Sequence, residues 1–376
     1  MNSIPPIDLK RQYQLIGEAV SAAVTEVLAS GRYIGGPVVQ EFEQQFAAYT
    51  GVSESVACNS GTDALYLALR ALQIGPGDEV ITTPFTFMAT AEAITHAGAT
   101  PVFVDIDPQT FNIDITKITP AITNKTKGII PVHLFGHPVN MSALMDIAQS
   151  HNLLVIEDCA QATGAEWAGQ KIGSIGHIGC FSFFPTKNLG GCGDGGAITT
   201  NDKTLAASIR MLKEHGMSDR YHHEETGINS RLDAIQAAIL QIKLQYLDRW
   251  NDARCQVAAN YHQLLQPVSE ILLPQELSGG RAVWNQYTIR ITKDSSNNEY
   301  RDKIRSQLQK LGISSMVYYP LPLHLQPVYK NLGYQVGDLP IVEGICHEVL
   351  SLPMFPEITL EEQEQVVYSL KDCLSM

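Results

Sequence analysis

One lysine stands where it could do chemistry. Lys187 follows an apolar aromatic run at residues 181–184 and Pro185, and it precedes a glycine-rich loop at residues 190–196. The run predicts a strand that holds the lysine inside the fold, where an amine loses its proton more readily than in water. Such an amine is a nucleophile suited to Schiff-base formation with a carbonyl. The alternative is a surface lysine beside a flexible loop.

The glycine-rich loop contains a pattern that also occurs in dinucleotide-binding folds. Gly191, Gly193 and Gly196 satisfy Gly-x-Gly-x-x-Gly. That fingerprint requires a strand before the glycines and a helix after them, whereas here the short β-prone run 197–200 follows. We therefore interpret the glycines as a turn that brings the backbone close to a ligand.

A possible phosphate site follows the first predicted strand. Gly61 forms a tight turn into an amphipathic helix, whose first backbone N–H groups are free to bind an anion. The alternative is an ordinary helix cap formed by Ser60 or Thr62. The pattern alone leaves both interpretations open.

Two more side chains follow predicted strands. Phe87 comes after the second strand and could stack on a planar ring, although aromatic residues at strand ends often belong to the core. Asp158 ends the apolar run 153–157 and needs a partner inside the fold. A protonated pyridine nitrogen would be such a partner, and a magnesium ion or a helix N-terminus would serve as well.

Taken together, these features describe one ligand. A helix N-terminus for phosphate, an aromatic for a ring, an acid for the ring nitrogen and a lysine for an aldehyde match pyridoxal 5'-phosphate. Ser182 adds a hydroxyl to the phosphate site. The sequence therefore predicts an enzyme that uses this cofactor and no metal.

With these residues in place, the chain resembles the DegT/DnrJ/StrS family of nucleotide-sugar aminotransferases. The matching segments are 7–10, 33–37, 60–65, 78–81, 157–161, 182–196, 229–233 and 319–324. The resemblance implies the aspartate aminotransferase fold type (fold type I), with an α/β large domain built on a mostly parallel seven-stranded sheet and a smaller α+β domain. We expect the large cofactor-binding domain at residues 1–250 and the small domain at 251–376.

The resemblance also implies which residues contact the cofactor. They are Gly61, Thr62, Phe87, Asp158, Gln161, Ser182, Lys187 and Asn229. Lys187 would be the catalytic residue bonded to the cofactor aldehyde, Asp158 would pair with the pyridine nitrogen, and Gln161 would contact the ring hydroxyl. Gly61, Thr62 and Ser182 would hold the phosphate.

Asn229 would reach the phosphate of the neighbouring subunit, which implies a homodimer with composite sites. Phe87 would stack on the ring, where other members of the family carry tryptophan or tyrosine. Dehydratases of the family carry histidine in place of the lysine, so Lys187 argues against that branch.

The segments 220–223 and 227–233 look like the branch that aminates carbon 3 of nucleotide-linked keto sugars, with L-glutamate as the amino donor. The likeness is greatest to UDP-2-acetamido-2-deoxy-hexuluronate 3-aminotransferases. The predicted substrate residues are Arg231, His324, Tyr319 and His222. A 4-keto sugar aminotransferase, a dehydratase of the same family and a cofactor-binding regulator remain alternatives.

Arg231 is the residue that favours an acidic sugar, because guanidinium and carboxylate form a bidentate pair. The alternatives are that Arg231 pairs with Asp233 or Glu225, or that it neutralises a phosphate. The paired histidines at 222 and 223 are alternatively read as a polar surface loop.

Composition narrows the class further. Of 376 residues, 44% are apolar and 17% charged, and the net charge of -13 argues against a nucleic-acid partner. No apolar run is long enough for a membrane span, and the N-terminal residues lack the pattern of a secretory signal. Seven cysteines without a Cys-x-x-Cys pair indicate reduced thiols, so we expect a cytoplasmic protein.

The elements that position these residues follow from hydrophobic periodicity. Helices are predicted at 8–30, 37–50, 203–215, 232–264, 299–311 and 360–374. Strands are predicted at 55–58, 79–83, 101–105, 128–134, 153–157, 180–184 and 196–200, with a further strand at 287–291. Alternating strands and helices predict a parallel sheet covered on both faces, with ligands at the carboxyl ends of its strands.

Overall fold

The computed structural model describes residues 3–375. Its α-helices are α1 (Leu9–Ser30), α2 (Pro37–Thr50), α3 (Gly61–Ala71), α4 (Ala89–His96), α5 (Ile118–Ala121), α6 (Met141–Ser150), α7 (Lys203–Leu212), α8 (Ala234–Leu244), α9 (Leu247–Leu265), α10 (Glu299–Lys310), α11 (Pro340–Glu348) and α12 (Leu360–Leu374). Its strands are β1 (Glu54–Cys58), β2 (Glu79–Thr82), β3 (Thr100–Phe103), β4 (Thr126–Ile130), β5 (Leu154–Asp158), β6 (Glu166–Trp167), β7 (Gln170–Lys171), β8 (Ile178–Ser182), β9 (Gly196–Thr200), β10 (Met217–Asp219), β11 (His222–His223), β12 (Ile271–Leu272), β13 (Gly280–Arg281), β14 (Tyr287–Ile291) and β15 (Val349–Leu352).

The main sheet has seven strands in the order β1-β9-β8-β5-β4-β2-β3. All of its pairs are parallel except the two made by β9, which runs antiparallel to β1 and β8. The carboxyl ends of the other six strands therefore meet at one edge, where β9 begins. This edge brings together the residues that follow β1, β2, β5 and β8, as the sequence predicted.

Alternating side chains of the sheet pack on its two faces. One face packs with Leu65 of α3, Ile94 of α4 and Ile209 of α7. The other packs with Phe42 and Phe46 of α2 and with residues of α6 and α8. Since successive residues of a strand point to opposite faces, sheets covered on both sides need apolar residues at nearly every position, which explains the apolar runs.

A second core lies in the C-terminal part of the chain. The antiparallel sheet β12-β14-β15 packs with α9, α10 and α12 around Tyr261 and Tyr287, and Ile4 joins the same cluster. Helix α9 contributes Leu247 to the core of the main sheet and Tyr261 to the C-terminal core. The boundary between residues 250 and 251 stays a prediction. No helix within residues 3–375 is long and apolar enough to cross a membrane.

Two predicted elements differ from the structure. The strand predicted to reach residue 134 ends at Ile130, and beyond Pro131, which has no N–H to donate, pairing is reduced to an isolated bridge between Val132 and Asp158. The single helix predicted over 232–264 is wrong, since α8 and α9 are separated by Gln245 and Tyr246. Helix α8 packs against α1 and α2, whereas α9 packs against α12, so tertiary contacts orient the two halves differently.

Candidate active site

Lys187 lies in a turn just after β8, where its amine faces the edge of the sheet. The backbone N–H of Lys187 donates to the carbonyl of Phe184 at 2.9 Å. The side chain is partly buried, and its amine contacts no hydrogen-bond acceptor or carboxylate within residues 3–375. Burial lowers the pKa of Lys187 from 10.5 to about 8, and the charge of Asp158 opposes part of that effect. The amine is therefore available as a nucleophile or a base.

The turn that carries Lys187 is fixed by its neighbours. A Cβ on Gly190 would lie 2.3 Å from the carbonyl oxygen of Pro185, so only glycine fits there. The side-chain amide of Asn188 donates to Asn251 at 2.7 Å and to the carbonyl of Val283 at 2.9 Å, and all of these groups are buried. These contacts tie the lysine turn to α9, and no local sequence pattern indicates them.

Asp158 ends β5 at the same edge of the sheet, with 4% of its surface exposed. One carboxylate oxygen accepts from the hydroxyl of Thr90 at 2.8 Å, and the other accepts from the N–H of Ala160 at 3.1 Å. Burial raises the pKa of Asp158, while these two hydrogen bonds and the charge of Lys187 act in the opposite direction. The acid and the lysine thus affect each other electrostatically across one site.

The N-terminus of α3 and the end of β8 form a narrow recess. A Cβ on Gly61 would lie 2.7 Å from Cβ of Ser182, so the absence of a side chain at Gly61 keeps the two elements in contact. The hydroxyl of Ser60 caps the N–H of Asp63 at 3.1 Å, which confirms part of the ordinary-cap interpretation. The N–H groups of Gly61 and Thr62 donate to no atom of residues 3–375 and stay available to an anion.

Gln161 and Tyr319 are neighbours beside this edge. The amide oxygen of Gln161 accepts from the N–H of Phe135 at 2.7 Å, and its nitrogen donates to the hydroxyl of Tyr319 at 3.1 Å. One proton of the amide remains for another acceptor. Phe87 lies in the turn between β2 and α4 with 61% of its surface exposed, so its ring is open to a ligand.

The other predicted substrate residues lie on different elements of the fold. His324 is 1% exposed, and its Nε2 lies 3.1 Å from Glu343 of α11, so it supports the fold and has no open face. Its assignment as a substrate residue stays a prediction. His222 lies exposed on the β10-β11 ribbon, where its Nδ1 lies 3.2 Å from the hydroxyl of Ser218.

Arg231 and Asn229 lie on the segment before α8. The guanidinium of Arg231 is 3.4 Å from Glu214, a partner that differs from Asp233 and Glu225, the partners considered above. Asn229 is exposed, and its side chain makes no hydrogen bond within residues 3–375. Ser230, between them, donates to Asp63 at 2.7 Å, which places the segment against the first turn of α3.

A buried pair lies directly behind Asp158. Glu157 accepts from the N–H groups of Gly173, Ile175 and Gly176, and one of its oxygens lies 3.1 Å from Nε2 of His133. Its position beside Asp158 in the sequence is the only signal that could have identified it. Cys159 lies close to the same two side chains.

Known proteins are similar to this chain over nearly its whole length. The model of the DegT/DnrJ/EryC1/StrS aminotransferase family matches residues 14–371. The chain belongs to this family. In solved structures it resembles S. venezuelae DesV in complex with a ketimine intermediate, with 42% identity, a TM-score of 0.95 and coverage of 99% of this chain and 98% of the other. This similarity confirms the predicted fold class.

Three curated relatives are similar over nearly their full length. The UDP-N-acetyl-3-dehydro-alpha-D-glucosamine 3-aminotransferase of Acidithiobacillus ferrooxidans is 43% identical, covering 99% of this chain and 98% of its own. The UDP-2-acetamido-2-deoxy-3-oxo-D-glucuronate aminotransferase of Pseudomonas aeruginosa is 42% identical, covering 93% and 94%. The pleiotropic regulatory protein of Geobacillus stearothermophilus is 48% identical, covering 98% of each chain.

The name of the Geobacillus relative does not support a regulator. It aligns over 372 residues, as the Acidithiobacillus aminotransferase does, and the family model that matches this chain describes aminotransferases. Solved structures of similar chains include forms with pyridoxal and pyridoxamine phosphate. The predicted enzyme class and cofactor are confirmed: the family member described here is a pyridoxal-phosphate-dependent aminotransferase.

Proposed function

We propose that this aminotransferase moves an amino group from L-glutamate to carbon 3 of a nucleotide-linked keto sugar. The observation that carries the proposal is the Lys187 amine, which is partly buried, has no hydrogen-bond partner within residues 3–375, and lies at the same edge of the sheet as Asp158. Two relatives at 43% and 42% identity are named as aminotransferases of UDP-linked 3-oxo or 3-dehydro sugars. A 3-keto sugar is accordingly favoured over a 4-keto sugar.

The residues at the sheet edge fit pyridoxal phosphate. The free N–H groups of Gly61 and Thr62 and the hydroxyl of Ser182 provide donors for a phosphate in the recess that a Cβ on Gly61 would fill. Asp158 provides an anion for the pyridine nitrogen, Phe87 an open ring face, and Gln161 an amide proton for the ring hydroxyl. The donors of the recess thus match the phosphate of the cofactor, the acid matches its ring nitrogen, and the lysine matches its aldehyde.

When bound, pyridoxal phosphate supplies an aldehyde that carries the amino group and a ring that accepts electrons. Lys187 would bond to this aldehyde through its neutral amine, and its lowered pKa of about 8 leaves about one tenth of the amine neutral at pH 7. When it is not bonded to the cofactor, the same amine would move a proton at the α-carbon of the amino donor as a general base. Asp158, as a carboxylate, would favour the protonated form of the ring nitrogen.

The sugar is the finer part of the proposal. We favour a hexuluronate because Arg231, paired with Glu214 through a single 3.4 Å contact, retains other N–H donors for a carboxylate. The Pseudomonas relative is named for such a sugar, whereas the Acidithiobacillus relative is named for a glucosamine. Tyr319, beside Gln161, and the exposed His222 are the other residues we assign to the substrate.

We also propose a cytoplasmic homodimer with composite sites. The exposed amide of Asn229 makes no hydrogen bond within residues 3–375, which leaves it free to reach the phosphate in a second copy. The seven cysteines are free thiols, in keeping with a reducing compartment.

A substrate panel tests the reaction. The enzyme is converted to its amino form with L-glutamate, freed of glutamate, and mixed with nucleotide-linked 3-keto and 4-keto sugars. We expect the absorbance of the aldehyde form to return with a 3-keto sugar and the product to carry nitrogen at carbon 3. Lys187→Ala is the control, and it should give no return.

Other outcomes of the panel identify the alternatives. Return of the aldehyde form only with 4-keto sugars would assign the alternative regiochemistry. Loss of water from the sugar without amination would assign a dehydratase. No response to any sugar, with glutamate conversion intact, would refute the nucleotide-sugar substrate.

A further inference from the structure

The acid that faces the cofactor needs help to stay ionised. This inference rests on the proposed function, in which Asp158 holds a charged pyridine nitrogen. Asp158 is 4% exposed, and burial raises its pKa, which favours the neutral acid. A neutral carboxyl group could not stabilise the pyridinium charge. Something in the chain must therefore favour the carboxylate.

The charged neighbours of Asp158 provide only part of that help. Lys187 and His133 lower its pKa through their charge, but both effects are smaller than that of the Thr90 hydrogen bond. The other titratable groups nearby are Glu157, Cys159, Cys180 and Tyr319. Burial raises the pKa of the two thiols and the phenol, so these three groups are neutral and no charge of theirs stabilises the carboxylate. Glu157 is occupied by His133 and backbone donors.

Two threonine hydroxyls form a directed chain to the carboxylate. The hydroxyl of Thr90 lies 2.8 Å from Asp158 and 3.0 Å from the hydroxyl of Thr86. An ionised carboxylate can only accept, so Thr90 gives its one proton to Asp158. The oxygen of Thr90 can then only accept from Thr86. In this contact Thr86 is therefore the donor and Thr90 the acceptor. Both side chains are buried, since Thr90 is 1% exposed and Thr86 is 3% exposed.

The chain connects two parts of the cofactor site. Thr86 and Thr90 lie on either side of Phe87, and the N–H of Thr90 donates to the carbonyl of Phe87 at 3.3 Å. The turn that presents the aromatic ring leads directly into α4, whose first turn presents the hydroxyl of Thr90. Asp158 keeps lone pairs for the pyridine nitrogen, since each carboxylate oxygen accepts more than one hydrogen bond.

We propose that Thr90, supported by Thr86, is a positioning residue that holds Asp158 ionised and oriented toward the pyridine nitrogen. Hydrogen bonds to charged groups are about twice as strong as neutral ones, and they favour the charged form that accepts them. Removal of the Thr90 hydroxyl therefore makes Asp158 easier to protonate in the cofactor-free enzyme. Binding of the cofactor must then expel that proton.

The test measures the affinity of the full-length cofactor-free enzyme for pyridoxal phosphate by equilibrium dialysis across pH. Thr90→Val should bind about tenfold or more weakly than wild type at the acidic end, where Asp158 is protonated in the free variant. The difference should shrink toward none at the alkaline end, where Asp158 is ionised in both proteins. Thr90→Ser retains the hydroxyl and should follow wild type.

The Asp158→Asn background separates this role from simple packing. Without a titrating carboxylate, Thr90→Val should change the affinity by less than about twofold at every pH. Thr86→Val provides a second test, because this variant keeps the Thr90 hydroxyl and its proton. Thr86→Val should also weaken the binding of pyridoxal phosphate, but less than Thr90→Val does and only at acidic pH.

Two results would overturn the inference. One is a loss of affinity in Thr90→Val or Thr86→Val that is the same at all pH values. The other is a loss that persists in the Asp158→Asn background. Failure of the wild-type enzyme to bind pyridoxal phosphate would instead refute the proposed function, so the same titration distinguishes the two.

Discussion

Replacement of Lys187 by methionine should make the cofactor-free enzyme more stable near pH 7. The pKa of Lys187 falls from 10.5 to about 8 on folding, because the amine loses water and gains no hydrogen-bond partner. Below pH 8 the folded chain holds a poorly solvated ammonium group. Methionine fills a similar volume without that charge, so the variant avoids its cost.

The size of the effect follows from the two pKa values. Each pKa unit corresponds to about 1.4 kcal/mol, so the difference between 10.5 and about 8 amounts to about 3 kcal/mol at most. The side chain is partly exposed, and water screens part of the cost, so we expect a gain of about 1 to 3 kcal/mol. Between pH 8 and 10.5 the unfolded chain binds more protons, so wild type gains stability and the difference shrinks.

The assay is urea denaturation of both cofactor-free proteins at one protein concentration, near pH 7 and near pH 10. Lys213→Met is the control. The amine of Lys213 donates to the carbonyl of Ala57 at 2.7 Å, so its loss should reduce stability at both pH values. Wild type as stable as Lys187→Met near pH 7, or a difference that does not change with pH, would refute the reasoning.

Three further predictions concern the assembled site. Asp158→Asn should lower turnover about a hundredfold or more while unfolding stays near that of wild type, and near-normal turnover would remove Asp158 from its assigned role. Mixed dimers of Lys187→Ala and Asn229→Ala should regain activity, because one site in each hybrid carries neither lesion; inactive hybrids despite proven subunit exchange would contradict the composite site. Arg231→Ala should lose its preference for a 3-keto hexuluronate over the 6-deoxy counterpart in kcat/KM, and equal losses on both substrates would exclude a carboxylate contact.

The sequence predicted the main sheet because its strands carry a strong local signal. A strand covered on both faces is apolar at nearly every position, and such runs stand out in the sequence at β4, β5 and β8. Local patterns could not show in which direction a strand runs or where a helix is interrupted. Nothing in the run 196–200 indicates that β9 is antiparallel, and nothing in 232–264 shows that the helix breaks after Leu244. Both are decided by packing against distant elements.

In the site, too, some residues carry a local sequence signal and others do not. Lys187, Asp158 and Gly61 were predicted as site residues because each lies at or after the end of a predicted strand, where ligands bind in an α/β sheet. Thr90 is 68 residues from Asp158, and Asn188 is 63 residues from Asn251, so these contacts exist only once the chain has folded. His324 lies buried beside Glu343, a contact that its motif alone does not indicate.

Burial disfavours the charges of both Asp158 and Lys187, and this links the stability of the cofactor-free enzyme to cofactor binding. Burial raises the pKa of Asp158 and lowers that of Lys187, so in the cofactor-free enzyme each charge is disfavoured and the attraction between them offsets only part of the penalty. A ring cation beside Asp158 and a covalent bond at Lys187 would remove both penalties at once. Because a ligand that binds only the folded state stabilises it, the cofactor should recover this energy as affinity. The features that make the free enzyme less stable are therefore those that make the site selective for a cofactor with a cation at one end and a carbonyl at the other.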